Sequence, residues 1–144
     1  ITHSTLNTPD TDVFKGDMLP GAPMDDAPMQ RNGQDVWLID QLGNTFQSLV
    51  FVDQTSELDA STLAALRALE TAAIPVKPLV ITRQAGTMDG VAVLHDIQGL
   101  FAKRYDAQPG SVWLARPDQH VVARWRHFNS TAIQTALRRA TANA

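Results

Sequence analysis

The side chains that could carry acid–base or metal chemistry are few, and their spacing suits none of it. The four histidines are His3, His95, His120 and His127. None stands in the HExxH or HxH pattern that would bring two imidazoles to one metal, and Asp96 beside His95 would project elsewhere on a helix. A serine nucleophile needs a histidine base and an elbow such as GxSxG, which Ser48, Ser56, Ser61, Ser111 and Ser130 all lack. Ser56, Ser61 and Ser130 read better as helix starts. Asp25 and Asp26 are adjacent in a proline-rich stretch, where two solvated carboxylates cannot be driven apart into an acid and a base. The phosphate cradles GxGxxG and GxxxxGK[ST] are missing. Cysteine is absent altogether, which removes disulfides, thiol redox catalysis, thiolate-bound zinc and iron–sulfur clusters together. No catalytic, cofactor-binding or metal-ligating residue is assigned.

The elements that would have to position any site follow from periodicity and punctuation. Residues 1–34 hold half of the eight prolines and no sustained apolar period, so they are expected to form an extended arm. Met18, Leu19, Met24 and Met29 are too apolar for an inert linker, and the arm is expected to dock. Residues 35–144 form the expected domain. Val36 to Ile39 and Phe46 to Val52 read as two strands joined by a tight connection at Gly43, the second buried on both faces. Ser56 and Asp59 suggest a capping box ahead of a helix carrying Leu63, Leu66 and Leu69, which ends before Pro75. Val76 to Ile81 is the next strand, and a right-handed crossover makes the two strands parallel. Leu94, Ile97, Phe101 and Tyr105 suggest a second helix with His95 at its start, ended by Pro109 and Gly110. Val112 to Ala115 and His120 to Trp125 flank Arg116, Pro117, Asp118 and Gln119, which is hairpin chemistry. Asn129 or Ser130 caps a last helix with Ile133 and Leu137 inward. Trp37, Trp113 and Trp125 all fall in strand-like runs and are expected in the core or on a sheet face, an interface role being the alternative.

A length of 144 residues suits one core, and 44% hydrophobic with 19% charged residues is ordinary globular usage. The whole net charge of -3 comes from the arm, where Asp10, Asp12, Asp17, Asp25 and Asp26 outnumber Lys15 and Arg31. Residues 101–144 are cation-rich, but hairpin and helix cations are normally solvated or paired, so no nucleic-acid partner is expected. No apolar run approaches the ~20 residues that span a bilayer, and no membrane partner is expected.

The order strand, helix, strand, helix, hairpin, helix resembles the thioredoxin-like fold, an α/β architecture with a mixed central sheet flanked by helices, here preceded by the arm. Where active thioredoxins carry CxxC after the first core strand, and peroxiredoxins PxxxTxxC nearby, this chain has Asp53, Gln54, Thr55, Ser56 and Glu57. Disulfide exchange needs a thiolate that none of these supplies. Two segments carry a narrower resemblance. GDMLPGAPM, Gly16 to Met24, is similar to a G(D/E)xxPxxPL lead-in, and VWLARPDQHVVARW, Val112 to Trp125, to an xLVRPDxxVAWR hairpin, with WLIDQLGNTFQSLVF between them. Together they resemble the C-terminal thioredoxin-like domain of FAD-dependent aromatic hydroxylases, the phenol hydroxylase and 3-(3-hydroxyphenyl)propionate hydroxylase group.

That resemblance implies a non-catalytic accessory or assembly domain of an aromatic-compound monooxygenase. FAD and NAD(P)H would belong to N-terminal flavin and substrate domains, which would be this chain's partners, alongside a homo-oligomeric contact and a cytoplasmic residence. The motif positions Arg116, Pro117, Asp118, His120, Val121 and Arg124 are expected to shape the hairpin and an interface, and Met18, Leu19 and Pro20 to make the arm's contacts. Gln119 departs from the pattern, since related hairpins often have glycine there. The opening residue Ile1, rather than Met, fits a fragment of a longer enzyme. Two alternatives stand: a free-standing, cysteine-free thioredoxin-like protein-binding module, and a small enzyme using His95 or His120 as base.

Overall fold

The structure, a computed structural model, describes residues 5–142; the start of the arm, with His3, and the last two residues lie outside them. In chain order the elements are β1 (Pro28–Arg31), β2 (Gln34–Trp37), β3 (Phe46–Val52), α1 (Ala60–Glu70), β4 (Val76–Thr82), β5 (Ala92–His95), α2 (Leu100–Tyr105), β6 (Val112–Ala115), β7 (Val121–Trp125) and α3 (Ser130–Thr141). They build one seven-stranded mixed sheet in the order β2-β1-β5-β4-β3-β6-β7. Strands β3, β4 and β5 run parallel, and the pairs β3–β6, β6–β7, β1–β5 and β1–β2 are antiparallel.

The unbroken apolar run of β3 has the cause its composition suggests. Leu49 and Phe51 face one core, with Leu79, Ile81, Phe101, Tyr105 and Trp113, while Val50 and Val52 face the other, under α1 and α3. Helix α1 is fastened at its start by Asp59, whose carboxylate accepts from the Thr62 N–H at 2.7 Å. Its inner face is Leu66 and Leu69, both fully buried, each contributing about 2 kcal/mol of burial. Asn129 caps α3 in the same way through the Ala132 N–H, and Ile133 and Leu137 point inward.

Several sequence expectations are corrected. The run Val36 to Ile39 is not a partner of β3: β2 ends at Trp37, a 3-10 turn follows over Leu38–Gln41, and β2 pairs with β1 on the far edge of the sheet. Asn32 and Gly33 make that hairpin, both with positive φ, 52° and 78°, as a two-residue type I′ turn requires. Two strands therefore begin within the segment expected as an extended arm. Leu94 and His95 belong to β5, not to a helix, so α2 is only six residues long. Asp96 caps it: its carboxylate oxygens accept from the N–H groups of Phe101 and Ala102, each at 3.0 Å. The capping box ahead of α1 is built by Gln54 and Glu57, not by Ser56 and Asp59. Asp26 is not merely solvated, since one carboxylate oxygen accepts from Ala27 N–H and Ile39 N–H. Trp37 stays 52% exposed, whereas Trp113 and Trp125 are buried.

Residues 5–27 lie along the β7 edge and across the face that carries α2. Val121 N–H donates to the Ala22 carbonyl, while its own carbonyl accepts from Gly21 N–H. Met24 N–H reaches the Gln119 carbonyl, and Thr8 N–H the Val122 carbonyl. The edge of β7 is thereby paired within the chain, which removes a template for aggregation.

Candidate functional site

The hairpin of β6 and β7 gathers the motif positions, and its turn explains the departure at Gln119. Gln119 N–H donates to the Arg116 carbonyl and Arg116 N–H to the His120 carbonyl, both at 2.9 Å, with Gln119 in the left-handed region at φ 64°. A tight turn followed by a left-handed residue is the geometry that favours glycine there. Glutamine holds the position with its side chain, whose Nε2 donates to the carbonyls of Ile39, at 2.9 Å, and Leu42, at 3.1 Å. Beyond the turn the pairing slips between Leu114 and Ala115, so that Ala123 and Val121 face consecutive residues. Val122 is the extra residue of this bulge, and its carbonyl is the one that Thr8 reaches.

Arg116 closes a two-point contact on Asp118, Nε to Oδ1 at 2.9 Å and Nη2 to Oδ2 at 2.8 Å. That guanidinium holds the Asp118 carboxyl below the usual carboxylate range, with the His120 ring also favouring ionisation. His120 Nδ1 lies 3.1 Å from the Asp118 carbonyl and 3.4 Å from its Oδ1. Val121 is fully buried. Arg124 is 2% exposed and grips Asp10 of the arm, Nε to Oδ1 at 3.0 Å and Nη2 to Oδ2 at 2.7 Å. Of the arm positions, Met18 and Pro20 are buried and Leu19 turns outward.

Further residues that the motifs did not single out join this arrangement. Phe14 sits under two guanidinium groups, its ring centroid 4.6 Å from Arg124 and 3.7 Å from Arg126, and edge-on to Trp113 at 6.0 Å. Arg126 donates from Nη1 to the Asp106 carbonyl and Ser111 Oγ and from Nη2 to Asp106 Oδ2, and its backbone N–H donates to Asp12. Asp106 also accepts from Lys15 N–H at 2.8 Å. The Lys15 amide, ahead of the Arg126 contact, holds the Asp106 carboxyl below its usual range. Arg124 and Arg126 stand in the cation-rich stretch 101–144, but nothing in the sequence pairs them with Asp10, Asp12 and Phe14 more than a hundred positions away.

Chemically, this is a clasp. Its charged groups bond one another and the arm, with Arg124 Nη1 buried and left without a hydrogen-bond partner, and it gathers no nucleophile beside a base. The other histidine considered as a base, His95, has Nε2 3.0 Å from the Arg83 carbonyl. Among the described residues no three His, Asp or Glu side chains are gathered as a metal ion would need. After β3, where thioredoxins hold their cysteines, Glu57 accepts from the N–H groups of Asp53 and Gln54, and Asp53 meets Arg83 at 3.0 Å. Beside that turn lies a cleft of about 340 Å³ lined by Val52, Glu57, Leu58, Thr62, His127 and Phe128.

Residues 27–140 match the family model described as HcaD C-terminal domain. None of the curated proteins matches the chain. Among solved structures, the flavin-dependent monooxygenase PieE, in complex with FAD and substrate, is similar at TM-score 0.73 and 19% identity, over 99% of this chain and 25% of that one. Aklavinone-11 hydroxylase, solved with FAD and aklavinone, is similar at TM-score 0.70 and 22% identity, over 96% of this chain and 25% of that one. The thiol peroxidase of Chromobacterium violaceum is similar at TM-score 0.68 and 19% identity, over 85% and 88% of the two chains. The chain thus spans about a quarter of the two monooxygenases, and its fold is thioredoxin-like.

Proposed function

Because the chain belongs to the HcaD C-terminal domain family, we propose that it serves as the C-terminal accessory domain of an FAD-dependent aromatic-compound monooxygenase and supplies packing rather than chemistry. The observation that carries this reading is coverage: nearly the whole chain superposes on a quarter of each of two flavin monooxygenases. Under it, FAD, NAD(P)H and the aromatic substrate are handled by the preceding flavin and substrate domains, in a cytoplasmic enzyme that assembles with further copies of itself. The clasp fits that role, since the arm is the segment that would arrive from those domains, and the contacts that fix it include Asp10–Arg124, Asp12–Arg126, Phe14 against both guanidinium groups, and Asp106–Lys15. A rigidly seated arm transmits a defined orientation to whatever precedes it. The absent thiols leave disulfide exchange without a nucleophile.

Intact mass and visible absorbance of the polypeptide as expressed in its source test the reading. A chain several times longer than 144 residues, yellow with bound flavin, is expected; a colourless polypeptide of this size contradicts it. A second reading, a free-standing protein-binding module, draws on the fold alone, which the chain shares with a thiol peroxidase over 88% of that protein.

A further inference from the structure

The two edges of the sheet are finished differently. At β7 the arm bonds the outward groups of Val121 and the Val122 carbonyl, whereas β2 is an edge of four residues with no strand beyond it among the described residues. In the type I′ hairpin the Arg31–Gln34 pair is hydrogen-bonded, so the backbone groups of Asp35 point outward. Beside this edge lies a cleft of about 410 Å³ whose walls are Pro28, Trp37, Ile97 and Leu100, with Asp35 and Arg104 among its polar lining. Four large apolar side chains are exposed among the described residues, and two of them, Trp37 at 52% and Ile97 at 42%, meet at this cleft. Of the hairpin residues expected to form an interface, Val121 is in the core and Arg124 is sealed against Asp10, while Pro117 and Asp118 remain exposed. The exposed apolar pair Trp37 and Ile97 lies at the opposite edge.

The cleft's rim charges are already held within the chain, Arg104 Nη1 by the Asp26 carbonyl and Asp35 Oδ1 by Gln30 Nε2, so the apolar walls are what it offers. We propose that the Trp37–Ile97 cleft is the face on which the preceding catalytic part of the parent polypeptide docks, presenting an apolar side chain. This rests on the accessory-domain reading above. About three quarters of a monooxygenase of that kind lies outside this chain, far more than enough to reach the β2 edge. A second copy fits less well. Pairing two β2 edges about a two-fold axis at Val36 sets both Asp35 carboxylates on one face, diagonally opposed at roughly 7–8 Å, where like charges oppose association.

Hydrogen exchange on the whole polypeptide, beside the 144-residue chain alone, tests the proposal. Amides 35–37 and 97–100 are expected to exchange at least tenfold more slowly in the whole polypeptide, and Trp37→Glu in that polypeptide should abolish the difference without altering exchange in β3 and β4. The unchanged β3 and β4 amides guard against simple unfolding, and Ile97→Gln, a milder change at an exposed position, should weaken the same protection. Equal exchange at these amides, with slowing on another face, overturns the proposal while leaving the accessory-domain reading intact. Slowing in the short chain that grows with its concentration assigns the cleft to a second copy and also overturns it. A source polypeptide no longer than 144 residues removes the reading and the proposal together.

Discussion

Asp10 and Arg124 are 114 positions apart, and the pair shows how little of a buried contact is written locally. The guanidinium is 1% exposed and Asp10 27%, so the arginine is the group that suffers if the pair is broken. Asp10→Ala should destabilise the chain by about 3 kcal/mol, because a buried charge is left without its partner. Adding Arg124→Leu should restore part of that loss, and urea unfolding of the two single variants and the double gives the comparison. A double variant no more stable than Asp10→Ala contradicts the argument. Gln119 makes a second case. Gln119→Ala forfeits two hydrogen bonds and keeps the left-handed strain, for a cost of about 1–2 kcal/mol, while Gln119→Gly relieves the strain and should be the milder change by about 1 kcal/mol. Thermal melts of both variants decide it, and Ala as mild as Gly would deny the strain. The sequence pattern marked position 119 as unusual; only the fold revealed the carbonyls of Ile39 and Leu42 that hold it.

Residues 5–27 of the arm hold no named helix or strand, and their seating is set in part by charge, and so by pH. Asp106, ionised, accepts from Lys15 N–H and Arg126, and its folded carboxyl is held below the ordinary value. A depressed carboxyl stabilises the seated arm fully above the unfolded value near ~3.9, and the contribution is lost as pH falls through the lower folded value. Exchange at the Lys15 amide should therefore show little change in protection above about pH 5 and lose protection below about pH 4. Asp106→Asn should loosen the same amide at pH 7 while leaving exchange in β4 unchanged. An amide indifferent to both changes would show that the arm is held elsewhere. The regular elements were legible to different degrees. β3, β4, α1, the β6–β7 hairpin and α3 follow from runs and caps long enough to be unambiguous. The β1–β2 hairpin was hidden although Asn32–Gly33 is a strong turn signal, because the surrounding prolines read as an arm. β5 was absorbed into a helix because Leu94, Ile97 and Phe101 recur with near-helical spacing across a strand and its following turn.

For the whole molecule, the sequence carried both the architecture and the family. The order of elements led to the thioredoxin-like fold that the solved structures bear out, and the resemblance on Gly16–Met24 and Val112–Trp125 led to the family whose model matches residues 27–140. The exposed Trp37 could not be read in advance: a tryptophan in a strand-like run is buried or not according to which edge the strand occupies, and that depends on all seven strands. The proposed role, packing without a chemical group, makes a definite prediction for a longer parent polypeptide. Removing residues 5–142 from the whole polypeptide should leave NAD(P)H oxidation per bound flavin within about threefold of the intact enzyme, a difference in barrier under ~1 kcal/mol, while thermal stability and assembly size fall. A loss of ~1000-fold or more in that turnover, with flavin content, stability and assembly unchanged, would place catalytic chemistry in this chain and contradict the account.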